Sequence, residues 1–204
     1  MDRQFVKLVA RFCECVPDLD SAEMQVWIDD PSGFKAGLLF MKPAKPELKV
    51  WRTIKLGTGL RTADDFRSAL SRADMKLGGY ANDMLGKPAF TASETEQEVD
   101  LVVASVAELG FKKGAKYSDI CVRAKELGLE LCPNEVGPQL RLQYTDQPMN
   151  EWLWVAMEPI VGSGGGRGVW HVERCDGGLW LYSVYFNPGD VWRHDGRFVF
   201  VRRK

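Results

Sequence analysis

The segment Leu179–Phe186, LWLYSVYF, is apolar on both alternating parities. Trp180, Tyr182, Val184 and Phe186 share one parity; Leu179, Leu181 and Tyr185 share the other. A strand with one wet face alternates apolar with polar residues, so this strand needs cover on both faces. The rest of the chain must supply that cover. Val169–Arg174 and the turn Cys175-Asp176-Gly177-Gly178 precede it and read as the first half of a hairpin. Leu140–Tyr144 and Trp152–Ile160 read as strands around the turn-rich Thr145–Asn150, and Phe198–Val201 as the last strand. The strands 152–160, 169–174, 179–186 and 197–201 are expected to form one antiparallel sheet with its aromatics mostly inside.

Upstream the period changes to that of helices. Phe5, Leu8, Val9 and Phe12 lie on one helical face before Pro17, and a second helix starts near Asp20-Ser21-Ala22-Glu23, with Pro31-Ser32-Gly33 interrupting it before Phe34–Met41. Lys49–Leu56 alternates as a strand. Thr62-Ala63-Asp64-Asp65 opens a helix with a hydroxyl cap and a carboxylate three residues on, and a short helix spans Tyr80–Leu85. Ser93-Glu94-Thr95-Glu96 and the closing Gly110-Phe111 predict a helix over 95–109 with Val99, Val102, Val103 and Val106 on one face. Helices at 117–127 and 134–141 follow, the second kinked at Gly137-Pro138.

Bulk properties narrow the setting. In 204 residues, 45% hydrophobic and 27% charged, a sizeable core is expected and wholesale disorder is not. The net charge of −1 gives the whole chain no electrostatic pull on nucleic acid or an anionic membrane. No apolar run reaches the roughly 18 residues of a membrane span, and no export signal is seen. Five scattered cysteines, Cys13, Cys15, Cys121, Cys132 and Cys175, fit no disulfide framework and read as free thiols of a reducing compartment.

The blocks KVWRTIKLGTGLRTADDFRSAL, VASVAELGF, RAKELGLELCPNEVGPQLRLQY, EWLWVAMEPI and RFVFVRRK resemble a family of bacterial proteins of unassigned activity that carry them in this order. The resemblance covers about Ala22 to Lys204. It implies a bacterial, cytoplasmic protein and carries over no functional residue. Lys116 stands where a hydroxyl is expected ahead of the 117–127 helix.

Each chemical motif has a plainer account beside it. Cys13-Glu14-Cys15 would send its two sulfurs about 200° apart on a helix, which favours small buried hydrophobes over chelation. His171 and His194 are the only histidines; pairing either with Cys175 needs hydrogen-bond reach and an orienting group. The glycine-rich stretch 162–168 lacks the Gly-Lys-Ser/Thr ending and the following helix of a phosphate loop, and reads as a hairpin loop. Residues 42–61 hold six cations against the single Glu47, with Trp51 among them. The candidate nucleic-acid contacts are Lys49, Trp51, Arg52 and Lys55 there, and Gln139 and Arg141 on the 134–141 helix.

The expected fold class is α+β. Residues 1–90 form a mainly helical part with at least one strand; residues 91–204 form a three-helix, winged-helix-like unit followed by the antiparallel sheet. No catalytic, cofactor-binding or metal-binding constellation stands out. The functional expectation is a non-catalytic interaction or binding protein with a protein partner. The alternatives are a winged-helix-type DNA-binding protein and an enzyme using carboxylates or Cys175.

Overall fold

The computed structural model describes residues 6–7, 9–10, 21–33, 35 and 46–203, the side chains of residues 23 and 27 excepted. The chain divides into two compact units, Met1–Lys45 and Pro46–Lys204. In the first, residues 6, 7, 9 and 10 are helical and α1 spans Ser21–Asp29. The helix breaks at Asp30, whose carboxylate accepts the Gly33 N–H at 2.8 Å. The rest of the expected 5–16 helix, Pro17, the Asp20 cap, most of Phe34–Met41, Lys42, Lys45, Cys13 and Cys15 lie outside the described residues.

The second unit is built on a curled, nine-stranded mixed sheet. Its elements are β1 (Arg52–Leu56), α2 (Ala63–Arg72), β2 (Lys76–Leu77), α3 (Gly79–Leu85), β3 (Gln97–Ser105), β4 (Ala115–Lys116), α4 (Tyr117–Glu126), β5 (Leu129–Glu130), α5 (Val136–Gln143), β6 (Trp152–Val155), β7 (Ile160–Val161), β8 (Arg167–Cys175), β9 (Gly178–Phe186), β10 (Val191–Trp192) and β11 (Arg197–Arg202). The sheet order is β1-β3-β11-β6-β8-β9-β2, with β5 beside β11, β7 beside β8, and β4 and β10 forming a separate two-stranded ribbon. Among the described residues no helix is long and apolar enough to cross a membrane.

This corrects the expected fold class. The helix over 95–109 does not exist; Gln97–Ser105 is a strand between β1 and β11. Leu101, Val102 and Ala104 are all buried, because a central strand is covered on both faces. A continuous apolar run satisfies helical spacing as easily as strand spacing, and the β-branched valines decide for the strand. The closing signal was real but local. Ser105 and Glu108 make a capping box around one turn, and Phe111 N–H donates to Val106 C=O at 3.0 Å past Gly110 at φ 106°. Without that helix there is no three-helix unit and no winged-helix order. The C-terminal strands are not all antiparallel either, since β11 runs parallel to β6. Nor do residues 46–90 belong to a helical part separate from the C-terminal sheet: β1 and β2 are both strands of the large sheet. Leu140–Gln143 is the end of α5 rather than a strand.

Other local readings agree with the structure. Thr62 and Asp65 form the capping box of α2. The β8–β9 hairpin turns at Cys175–Gly178 as its glycines predict. The kink expected at Gly137-Pro138 is not needed: α5 begins at Val136, so Pro138 sits in its first turn, where its missing N–H costs nothing. Gly137 lets this helix lie directly on the Trp170 ring; a Cβ there would overlap it.

Helices α2, α3 and α5 cover one face of the sheet, where Ile54, Leu101, Val199, Trp170 and Leu181 point. The joint between α5 and the sheet is polar. Glu135, fully buried, accepts Gly57 N–H at 2.8 Å, Ser93 N–H at 2.7 Å and the Gln139 side-chain amide at 2.9 Å. A buried carboxylate is tolerable only when so bonded, and the helix N-terminus beside it helps. Glu135→Gln turns one acceptor into a donor facing an N–H and should cost about 2 kcal/mol. Glu135→Ala strands three donors and should cost about 4 kcal/mol. Urea unfolding measures both; a loss below about 1 kcal/mol for the alanine variant would show the carboxylate to be dispensable.

Candidate functional site

Among the described residues, the opposite face of the sheet is covered at one end. There Tyr117 of α4 and Trp192 of β10 pack on Phe198, with ring centroids 6.0 and 5.0 Å away. The Tyr117 hydroxyl donates to Met157 C=O at 2.6 Å, and burial pushes its pKa up. Beyond that cover, the register lines side chains into two rows across the strands. One row is Lys76, Trp180, Glu173 and Trp152; the next is Tyr182, His171, Trp154 and Phe198. Cross-strand neighbours of this kind stand about 5 Å apart at Cβ.

The second row is half-buried and ends on the buried Phe198, and the first row is more open, with Lys76 and Trp152 exposed. Trp152 is 49% exposed, whereas Phe198 is fully buried. Trp180 and Tyr182 stack at 4.7 Å with an interplanar angle of 4°, both half-buried. Of the nine residues of β9 only Leu181 is fully buried. The expectation that the aromatics lie mostly inside therefore holds for Trp170, Trp192, Phe198 and Phe200 and fails for Trp152, Trp180 and Tyr182. The α4 side ends before it reaches them.

Electrostatics on this face follow from burial. Desolvation pulls the His171 pKa down to about 4, so the ring is neutral around pH 7. Its Nε2 is buried without a hydrogen-bond partner, and the Glu173 carboxylate stops 3.8 Å short of it. Burial raises the Tyr182 phenol. Glu173 stays a quarter exposed between two indoles of the first row. Cys175 shares the His171 face but lies four strand residues away, about 13 Å, so the two cannot form a nucleophile–base pair. His194 is exposed in the loop before β11.

The residues singled out for nucleic acid do not share a surface. Lys49 pairs with Glu47 at 3.5 Å, and Lys55 with Glu96 at 2.8 Å. Arg52 binds Asp146 at 2.8 Å and lies over the Tyr144 ring, against which Trp51 packs edge-on. Gln139 is buried, donating to Thr58 and Glu135. Arg141 is fully buried, donating to the Gln147 side chain and to the carbonyls of Glu173 and Tyr144. Burial pulls its guanidinium down to about 10.

The glycine-rich loop is pinned. Asp83 accepts the Ser163 N–H at 2.7 Å and its hydroxyl at 2.6 Å, and Lys87 donates to the same hydroxyl. These bonds from Ser163, then Lys87, hold Asp83 down to about 2. Lys87 is ion-paired with Asp83 at 3.0 Å, so its Nζ is shared between that carboxylate and the Ser163 hydroxyl. Ser163 stands 76 and 80 residues from Lys87 and Asp83, and no sequence signal announced the trio. The open row was half legible: the apolar β9 was noted, but not that Glu173 would stand between Trp152 and Trp180.

Cys121, Cys132 and Cys175 are free thiols. Burial raises Cys121 to about 11, which makes it a poor nucleophile. Among the described residues no three His, Cys, Asp or Glu side chains gather as a metal site. A cleft of about 430 Å³ lies between β3, β5 and β11, its floor Val99, Leu131 and Val201 and its rim Glu98, Glu130 and Arg203. The rim carries both signs, and Arg203 already pairs with Glu130 at 3.4 Å. Comparison with family models, curated proteins and solved structures yields no match.

His171, facing Glu173, Tyr182 and Trp154, gives the fold an acid sensitivity. Its folded pKa of about 4 lies below the ordinary histidine value of 6.5. Between those values the unfolded chain holds a proton that the folded chain does not. Stability is therefore complete above 6.5 and falls as pH drops toward 4, by about 2–3 kcal/mol. His171→Phe should remove that part of the loss. Urea titrations of both proteins at about pH 7 and about pH 5 test it; parallel losses would show that His171 is not held neutral.

Proposed function

We propose that this chain is a non-catalytic binding protein that recognises another polypeptide through the open row Lys76, Trp180, Glu173 and Trp152. The observation that carries the reading is the 49% exposed Trp152 beside a part-exposed carboxylate with a second indole beyond it. Exposed tryptophan and tyrosine on a rigid strand are the residue types that dominate interface energetics. A carboxylate between two indoles suits a cationic side chain, which gains both an ion pair and a ring quadrupole. The partner thus offers an arginine or lysine. A reducing, cytoplasmic setting is supported by the three free thiols and, as a bacterial one, by the block resemblance.

The nucleic-acid reading is not carried forward. Its helical reader is buried, and its exposed cations are ion-paired.

Photo-crosslinking tests the proposal. A benzoylphenylalanine at position 152 should give a discrete adduct with one polypeptide in the native cell, whereas the same residue at Val122, which is 59% exposed on α4, should not. With the crosslinker kept at position 152, Glu173→Gln should weaken capture about 10-fold. Equal adducts from positions 122 and 152, or none from 152, would overturn the reading.

A further inference from the structure

The two edges of the large sheet are finished differently. At β1 a side chain imitates a neighbouring strand: the Gln143 amide donates to Lys55 C=O at 2.8 Å, and its oxygen accepts Lys55 N–H at 2.9 Å. One residue on from β1, Gly57 N–H is taken by Glu135. That edge is closed.

At β9 the cover stops short. The two residues of β2 pair with Trp180 and Leu181, and Gly78 N–H donates to Leu181 C=O before the chain turns into α3. Because Leu181 directs its carbonyl outward from β8, alternation directs the N–H and C=O of Ser183 and Tyr185 outward as well. Among the described residues no strand pairs with this side of β9 beyond Leu181. The open stretch runs from Tyr182 to Phe186, bounded by Gly78 at one end and the Asn187–Asp190 turn at the other. Exposed edges are ordinarily guarded by lysine, proline or a bulge. Leu179–Phe186 has no charge and no proline, and is rich in aromatic and branched residues. A bare edge of that composition pairs with other chains.

We propose that a second copy of this chain closes the edge, with β9 meeting β9 of the copy antiparallel about a twofold axis through Val184. The open window selects this occupant. It is five residues long and centred on Val184, so it pairs with itself without reaching β2 or the Asn187 turn. In that register Ser183 stands opposite Tyr185 of the copy and Tyr185 opposite its Ser183. Both residues carry outward groups, so every outward donor and acceptor of the window finds a partner. A large side chain then meets a small one on the helix-bearing face, and Val184 meets Val184 on the other. Tyr80, 67% exposed and 5.0 Å from the Tyr185 ring, is placed to cover the joint. No charge in the window opposes the twofold contact.

Sedimentation equilibrium of the full chain tests this with charges placed on the axis. The wild-type chain should dimerise as its concentration rises through the micromolar range. Val184→Lys and Val184→Glu, each checked for an unchanged circular dichroism spectrum, should stay monomeric alone, while their equimolar mixture should dimerise. Hydrogen exchange on the unmodified chain gives a reading that needs no variant: the Ser183 and Tyr185 amides should slow as concentration rises. A wild-type chain that stays monomeric with concentration-independent exchange there overturns the proposal. So does a Val184→Lys protein that dimerises like wild type, or an unmodified chain whose edge is protected only by an added foreign peptide.

Discussion

The fold turns on one buried carboxylate. Glu135 sits at the start of α5 and gathers Gly57 from the end of β1, Ser93 from the approach to β3, and Gln139 one turn along its own helix. The chain of bonds continues: Gln143 donates to Gln139 at 3.1 Å and then grips both backbone groups of Lys55. Residues 135, 139 and 143 recur every four positions, so they form a polar stripe down one side of α5. Beside that stripe Gly137 rests on Trp170, whose indole N–H donates to Asn134 C=O at 2.6 Å. The helix is thus held by hydrogen bonds toward β1 and by close packing toward β8. Partial satisfaction would be worse than an apolar contact, because each stranded N–H in a dry site is costly.

The other end of α5 is secured by a buried cation. Arg141 has no carboxylate among its hydrogen-bond partners; carbonyl and amide oxygens of Tyr144, Gln147 and Glu173 receive its protons. Gln147 in turn donates to Glu151 and Val172 carbonyls. The loop 144–151 is therefore drawn onto β8 at the residue whose side chain stands in the open row. The position of Glu173 on the exposed face is fixed from behind by a guanidinium on the covered face, which links the scaffold to the candidate recognition surface.

Local chemistry was legible in the sequence where it acts over a few residues. Thr62 with Asp65, the Cys175–Gly178 turn and the helix expected over 117–127, found at Tyr117–Glu126, follow from nearby neighbours, whereas the helix expected over 134–141 runs Val136–Gln143 into residues read as a strand. The reading failed at Gln97–Ser105 because both of its edges are paired by strands far away in sequence, β1 and β11, some 45 and 100 residues off. Gln139 and Arg141 read as exposed polar residues of a reading helix for the same reason: their partners, Thr58 and Glu173, lie far off in the sequence. The row of Trp152, Glu173 and Trp180 depends on strand register, which the alternation within single strands does not reveal. Trp180 reads as core from its neighbours along the chain, yet it is only half-buried, stacked on Tyr182 near the end of the hairpin.

Strand order carries a consequence for how the chain is made. β11 follows every other described strand in sequence, yet lies in the middle of the sheet between β3 and β6. During synthesis, residues 197–202 leave the ribosome after all their neighbours. Until then β3, with its run of valines, and β6, with its two tryptophans, each have an empty flank. Pairings this distant in sequence close slowly, and the half-sheets on either side wait as sticky surfaces. Emergence of β11 is thus the step that joins two separate β-layers, β1–β3 on one side and β6–β8–β9 on the other, into one.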